Sequence, residues 1–250
     1  MTFLERNIRL LIAYDGTLYQ GWQRQKESPT IQGTIENILF KITQQPVSLV
    51  GAGRTDSGVH AWGQVASFKT ASSMPTATIK AALTALLPKD ILIRRVEEVE
   101  PTFHARFSSR AKVYDYLICD HSPNIPFFRH YVWFLPEPVD LDLIKNGLSL
   151  LAGEHDFSSF QSQGSEVSHS VRTLYQAILL PGPWGGFKLR FMANGFLRHM
   201  VRNMVGTLIR IGFRRISIKE LEEILKAKDR SQAGEMAPAR GLFLRKVLYK

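Results

Sequence analysis

Between two apolar runs lies Gly51-Ala52-Gly53-Arg54-Thr55-Asp56-Ser57-Gly58-Val59-His60-Ala61, where a plain hairpin would need only a short turn. A guanidinium two residues from the Asp56 carboxylate would keep it ionised and oriented, as a nucleophile or general base requires. The glycines open backbone conformations closed to other residues. Two phosphate-binding devices are excluded: a dinucleotide loop needs Gly at position 56, and a P-loop needs Gly-Lys-Ser/Thr to follow. Asp-Ser-Gly is also ordinary turn chemistry, so the residues alone leave a catalytic and a structural reading open. His60 closes the loop, where a histidine more often bonds backbone than acts as a base. His155 and Asp156 resemble a dyad, but adjacent strand residues face opposite ways, so the pair reads as structural. Trp22, with Gln20, Gln23, Arg24 and Gln25, is either an RNA-touching loop or a packing anchor for the first strand.

Hydrophobic periodicity supplies the elements that must hold these groups. In the first half it predicts strands at Ile8–Tyr14, Val47–Gly51, Gln64–Phe68 and Ile91–Val99. Helices are predicted on the Ile31, Ile35, Ile38, Leu39, Ile42 stripe, with Thr30 as N-cap, and over Thr76–Leu87. The second half repeats the order, with strands at Val113–Cys119, Val171–Leu180, Phe187–Met192 and Leu242–Leu248. Its helices are Leu141–Leu151, a long Phe196–Ile211, and a further one opened by a Ser217/Glu220 capping box. The fold class expected is α+β: two ferredoxin-like, RNA-recognition-like βαββαβ halves with abutting antiparallel sheets. The division falls near Arg106 to Arg110, giving domains 1–106, with the Asp56 loop, and 107–250, with the basic helix.

The chain has 250 residues, 44% hydrophobic and 22% charged, enough apolar material for a core. Its formal net charge of +10 favours a polyanionic partner, nucleic acid before an acidic membrane surface. Residues 1–125 hold 14 basic and 11 acidic side chains and residues 126–250 hold 18 and 11, so the halves carry +3 and +7. From Glu166 to Glu220 no acidic side chain intervenes, while Arg172, Lys188, Arg190, Arg198, Arg202, Arg210, Arg214, Arg215 and Lys219 do. A run of one sign points to phosphate contact. On the long helix, Arg198, Arg202, Gly206 and Arg210 would share a ridge, with arginines that repel unless an anion lies between them. Gly206 would permit close approach of another backbone, although it costs helix stability. One cysteine, Cys119, excludes an internal disulfide and a Cys-rich zinc site. Thr2-Phe3-Leu4-Glu5-Arg6 runs into a strand without a leader pattern, and no apolar stretch is long enough to span a bilayer. The expectation is a soluble, reduced, intracellular protein.

Gly53-Arg54-Thr55-Asp56-Ser57-Gly58-Val59-His60-Ala61 resembles the signature loop of the TruA family, the tRNA pseudouridine(38-40) synthases. Tyr14-Asp15-Gly16-Thr17, Gly21-Trp22-Gln23, Lys112-Val113-Tyr114-Asp115-Tyr116, Gly153-Glu154-His155-Asp156-Phe157 and Met200-Val201-Arg202-Asn203-Met204-Val205-Gly206 match it as well. The likeness runs in order from about residue 8 to Gly241-Leu242-Phe243-Leu244. It implies two RNA-recognition-like halves around a basic cleft, and a reaction that detaches a uridine base at N1, rotates it and rejoins it to ribose through C5. It carries the catalytic aspartate onto Asp56, which would attack C1′, add to C6, or remove the C2′ proton. Arg54 would occupy the space of the flipped nucleotide and hold Asp56. Arg202 would lie in the active-site region, where it could pair with Asp56. Tyr114 would contact the flipped base, Arg198 would bind substrate, and Leu244 would pack around the pocket. The resemblance implies no metal and no organic cofactor, a cytoplasmic homodimer, and tRNA recognised at positions 38, 39 and 40 of the anticodon arm by shape and backbone. A non-catalytic paired-domain RNA-binding protein shares the fold and charge but has no need of the Asp56 loop. A small-molecule nucleotide enzyme is disfavoured by the missing phosphate loop.

Overall fold

A computed structural model describes residues 5–120, 126–164 and 169–250. Thr2 to Leu4, where no leader was read, and Glu166, which bounds the acid-free run, lie outside them. The architecture is mixed α+β, with five helices and a multi-stranded, mostly antiparallel arrangement. The chain divides into two compact units. Unit 1 (Met1–Arg110 with Leu244–Lys250) contains β1 (Arg6–Tyr14), α1 (Ile31–Thr43), β2 (Val50–Gly51), β3 (His60–Thr70), α2 (Thr76–Leu86) and β4 (Ile91–Val99). Unit 2 (Ala111–Phe243) contains β5 (Ala111–Cys119), β6 (Trp133–Phe134), α3 (Leu141–Leu151), β7 (Gly153–Asp156), β8 (Val171–Pro181), β9 (Phe187–Ala193), α4 (Met200–Gly212) and α5 (Ile218–Ala227). The last strand, β10 (Leu242–Leu248), starts in unit 2, and its residues from Leu244 belong to unit 1.

In unit 1, β1 lies between β3 and β4 and pairs antiparallel with both. Its alternation seals Ile8, Leu10, Ile12 and Tyr14 from solvent, together with Ile31, Ile35 and Leu39 of α1 and Ile79 and Leu83 of α2. Each such aliphatic side chain contributes about 1.5–3 kcal/mol through burial. Thr30 caps α1 as expected, its Oγ1 accepting the Gly33 N–H at 3.3 Å. The sealed face of α1 departs from the expected stripe: Gln32 and Glu36 are buried, whereas Ile38 and Ile42 are only half-buried. β3 is also longer than its apolar core suggests and begins at His60, because its register with β1 continues past Gln64 to Ala61.

In unit 2 the sheet order is β5-β9-β8-β7, antiparallel throughout, with the short β6 added parallel to β5. The strand reading of His155 and Asp156 is met by β7, whereas β6 was not anticipated, since two residues are too few to display a period. The Ser217/Glu220 capping box is present in full.

The expected helix over Phe196–Ile211 is corrected: α4 starts at Met200, after a left-handed His199 (φ 60°). Residues 196–198 are drawn elsewhere. The Phe196 ring meets Tyr114 edge-on at 5.1 Å, and the Arg198 guanidinium donates to the Gln163 carbonyl at 2.7 Å. Arg198 is therefore not on the helix, and the four-residue ridge loses its first member. Nor is the remainder of the ridge a solvated face. All of α4 except Arg210 is buried, Arg202 included. At Gly206 the anticipated backbone approach occurs, for a Cβ there would overlap the Glu235 carbonyl oxygen.

Alanine at an ordinary helix-interior glycine stabilises by about 1 kcal/mol. At Gly206 the clash with a backbone carbonyl reverses the sign, and Gly206→Ala is expected to lower stability by about 1–3 kcal/mol in urea titration. An unchanged or raised midpoint would show that the 233–237 segment can yield.

Candidate active site

The Asp56 loop is closed by its own turn, the Asp56 carbonyl accepting the Val59 N–H at 3.1 Å, and is tied to its neighbours through Thr55. Thr55 is buried, and its Oγ1 shares a 2.8 Å hydrogen bond with the Tyr14 hydroxyl at the end of β1. Its carbonyl accepts the Trp22 N–H at 3.0 Å. Burial pushes the Tyr14 phenol well above the usual tyrosine range, against the opposing hydrogen bonds with Thr55 and Gln64. Across the loop, the Tyr19 carbonyl accepts the Gly58 N–H at 3.3 Å and the Ser57 hydroxyl at 3.2 Å, and Gln64 donates to the Gly53 carbonyl at 2.8 Å. Gly21 (φ 83°) lets its segment pass so close that a Cβ would stand 2.5 Å from the Thr55 carbonyl oxygen. The result is a half-exposed Asp56 between a buried Thr55 and a buried Val59.

Arg54 is exposed, and its Nε–H donates to Gln23 Oε1 at 3.1 Å. His60, buried at the start of β3, places Nδ1 3.1 Å from the Gly16 amide and 3.1 Å from Asp15 Oδ1. The two contacts need opposite proton states of one nitrogen, so Nδ1 either accepts the Gly16 N–H or donates to Asp15, and either bond braces the loop's exit. That matches the backbone-bonding reading of His60. Trp22 resolves as the packing anchor: it is 1% exposed, its ring 6.2 Å from that of Tyr14, and it fills the space beside Gly51 where a Cβ would meet it at 2.6 Å. Leu244 is fully buried in β10.

In unit 2, Tyr114 is buried on β5 opposite Phe191 and against Phe196. Arg202 is 9% exposed; its Nε donates to the Ala237 carbonyl at 2.7 Å, and the Ala237 N–H returns a bond to the Arg202 carbonyl at 3.1 Å. Tyr116 donates to the Pro238 carbonyl at 2.6 Å. Burial raises its phenol far above the ordinary range, against the nearby charges of Arg202 and Arg240. The 237–241 segment thus lies against both side chains, and Gly241 admits the Tyr116 ring where a Cβ would approach it to 2.7 Å.

The acid-free run is not one-signed in space. Arg190 forks onto the fully buried Asp115 with bonds of 2.6 and 2.8 Å, and Lys188 is 3.9 Å from the same carboxylate. Arg214 pairs with Asp140 at 3.0 Å and Arg215 with Glu137 at 3.4 Å. These acids come from other segments, so the run overstates the free positive charge. His155 and Asp156 are structural as read: the imidazole Nε2 lies 3.0 Å from the Ala152 carbonyl, and Asp156 accepts the hydroxyls of Ser158 and Ser170 and pairs with Lys228 at 3.0 Å. Burial works to raise the Asp156 carboxyl, but those hydrogen bonds prevail and hold it well below the usual carboxylate range.

Sequence reasoning missed Tyr14, Gln32 and Glu36 as supports of the loop. A signal existed for the last two, since glutamine and glutamate four residues apart flank the apolar Ile31/Ile35/Leu39 stripe. Polar side chains beside a buried stripe need partners.

Comparison with known proteins bears on the whole chain. A family model described as tRNA pseudouridine synthase matches residues 10–108 and 148–250. Arg54, Asp56, Arg198, Arg202 and Leu244 fall inside the match, and Tyr114 outside it. The tRNA pseudouridine synthase A of Thermoanaerobacter sp. (strain X514) is 41% identical over 244 residues, covering 98% of this chain and 100% of that protein. Proteins of the same name from Caldicellulosiruptor saccharolyticus and Thermodesulfovibrio yellowstonii are 43% and 42% identical, over 98% and 97% of this chain and 100% and 99% of their own lengths.

Tyr14→Phe leaves the buried Thr55 hydroxyl short of a partner and should cost about 1 kcal/mol in urea titration. Asp156 has a depressed pKa, so its stabilisation is complete above the unfolded carboxylate range, near pH 4, and is lost as pH falls toward the folded value. Asp156→Asn should be less stable than the wild type at pH 7, and the gap should shrink steadily as pH falls from about 5 to 2.5. A constant gap across that window would assign the effect to packing.

Proposed function

The chain belongs to the tRNA pseudouridine synthase family, and we propose that it converts uridine to pseudouridine at positions 38, 39 and 40 of the tRNA anticodon arm. It is an isomerase of tRNA processing. Positions 38–40 rest on the resemblance of the Gly53–Ala61 loop, and the mechanism is supported chiefly by one observation, a half-exposed Asp56 on a loop whose neighbouring Thr55 is bonded through both side chain and carbonyl.

The reaction breaks the bond from ribose C1′ to uracil N1 and forms one from C1′ to C5. The C5 proton is lost to solvent and N1 gains one, so atoms balance with no redox step. Asp56 is the nucleophile in this assignment. A uridine stacked in a stem must first be extruded, at a cost of a few kcal/mol. Arg54, exposed beside Asp56, takes the vacated space. Tyr114 meets the extruded base with its edge braced by Phe196. Arg202, held by Ala237, serves the same active site, Arg198 contributes to substrate binding, and Leu244 supplies apolar packing. Domain 1–106 then carries the nucleophile and domain 107–250 the cationic RNA contacts, in two RNA-recognition-like halves. The resemblance supports a cytoplasmic homodimer that needs no cofactor. Among the described residues no helix is long and apolar enough to cross a membrane.

The test is tRNA tritiated at uridine C5. Wild type should release tritium from positions 38–40, and Asp56→Ala should lower turnover by more than about 1,000-fold while holding tRNA with little loss. Tight, salt-sensitive tRNA binding with no tritium released would leave a binding protein and no isomerase.

A further inference from the structure

From the exposed Arg54 a single line of side-chain hydrogen bonds runs inward to a buried carboxylate. Arg54 Nε–H donates to Gln23 Oε1 at 3.1 Å, and Gln23 Nε2 donates to Gln32 Oε1 at 2.8 Å. Gln32 Nε2 in turn donates to Glu36 Oε1 at 3.0 Å and to the Leu49 carbonyl at 3.0 Å. Gln32 and Glu36 are 8% and 5% exposed. Every amide accepts on its outer side and donates on its inner side, with a cation at one end and an anion at the other. That order fixes which way each amide points, because flipping either one would set N–H against N–H or oxygen against oxygen. Aligned donors also polarise one another.

The line is anchored along its length. Gln32 Oε1 also accepts the Arg24 N–H at 2.9 Å, and Glu36 accepts the Leu49 N–H at 2.9 Å and pairs with Arg24 at 3.1 Å. The Gly21 and Trp22 carbonyls accept the N–H groups of Ile31 and Gln32, so the segment bearing Gln23 is fixed to the first turn of α1. Gln32 and Glu36 thus satisfy the buried Leu49 backbone and the Arg24 N–H, and the same two side chains hold the inner end of the line that reaches Arg54.

We propose that Gln23 and Gln32, backed by Glu36, are positioning residues that fix the direction of the Arg54 guanidinium, two residues from Asp56, before tRNA arrives. The proposal rests on the extrusion role given to Arg54 above. A free arginine samples many rotamers. Settling part of that freedom in advance lowers the barrier to extrusion without adding a contact to the bound tRNA. The effect therefore belongs in the rate of the bound complex and not in affinity.

The experiment is a double-mutant cycle read by single-turnover tritium release and by tRNA Kd. Gln23→Met should slow turnover about tenfold with Kd changed less than twofold, and Gln32→Met should act in the same direction. In an Arg54→Ala background Gln23→Met should cost nothing further, a coupling that general loosening of the loop would not give. Gln23→Glu keeps the acceptor for Arg54 but sets oxygen against Gln32 Oε1, so it should recover only part of the rate; a full wild-type rate would remove Gln32 from the line. Because Gln23 is exposed, its variant carries the test even where Gln32→Met fails to fold. Losses that multiply across the cycle, a wild-type rate in Gln23→Met, or a loss confined to Kd would each overturn the relay. A wild-type protein that releases no tritium would remove the assigned reaction itself; an active wild type with independent losses would remove only the relay.

Discussion

A carboxylate that must act on a large, mobile substrate needs a fixed backbone on a half-exposed loop, and Thr55 supplies that constraint. It is tied through its hydroxyl to Tyr14 and through its carbonyl to Trp22. Both partners are themselves core residues, Tyr14 the last of the β1 alternation and Trp22 wedged beside Gly51. The position of Asp56 is therefore set by burial one residue away. Loops positioned by a rigid scaffold commonly carry function, and the scaffold here reaches into the loop itself.

The same logic governs unit 2. α4 is buried along nearly its whole length, so Arg202 must satisfy its guanidinium inside the protein and does so partly on the Ala237 carbonyl. A buried arginine with backbone partners keeps its direction better than a solvated one, whose long stem samples many rotamers. Gly206 and the 233–237 segment make this possible, since the close backbone approach at Gly206 brings Ala237 within reach of Arg202 one turn earlier.

Charge behaves differently in the sequence and in the fold. Between Glu166 and Glu220 there is no acid, yet Arg190 is neutralised by Asp115, with Lys188 3.9 Å from the same carboxylate, and Arg214 and Arg215 pair with Asp140 and Glu137. Asp115 is fully buried, and the Arg190 fork meets its charge. The net surplus of +10 remains and still suits a polyanionic substrate, but a count of cations along the chain is no map of the surface that meets phosphate.

Elements with a local signal were legible from residue order alone: the alternation of β1, the Thr30 cap, the Ser217/Glu220 box, the limits of α3, and the loop of mixed charge around Asp56. These depend on residues two to four positions apart, and that spacing is visible in any window. The folded chain alone places the start of α4 after His199, because Leu197 continues the apolar period and nothing nearby marks the break. Only it decided that Gln32 and Glu36 are buried, that Arg202 turns to Ala237, and that Tyr14 holds Thr55 across 41 positions of chain. Periodicity reports which face of an element is apolar, whereas the partner of a polar group is chosen by whatever distant segment the fold brings to it.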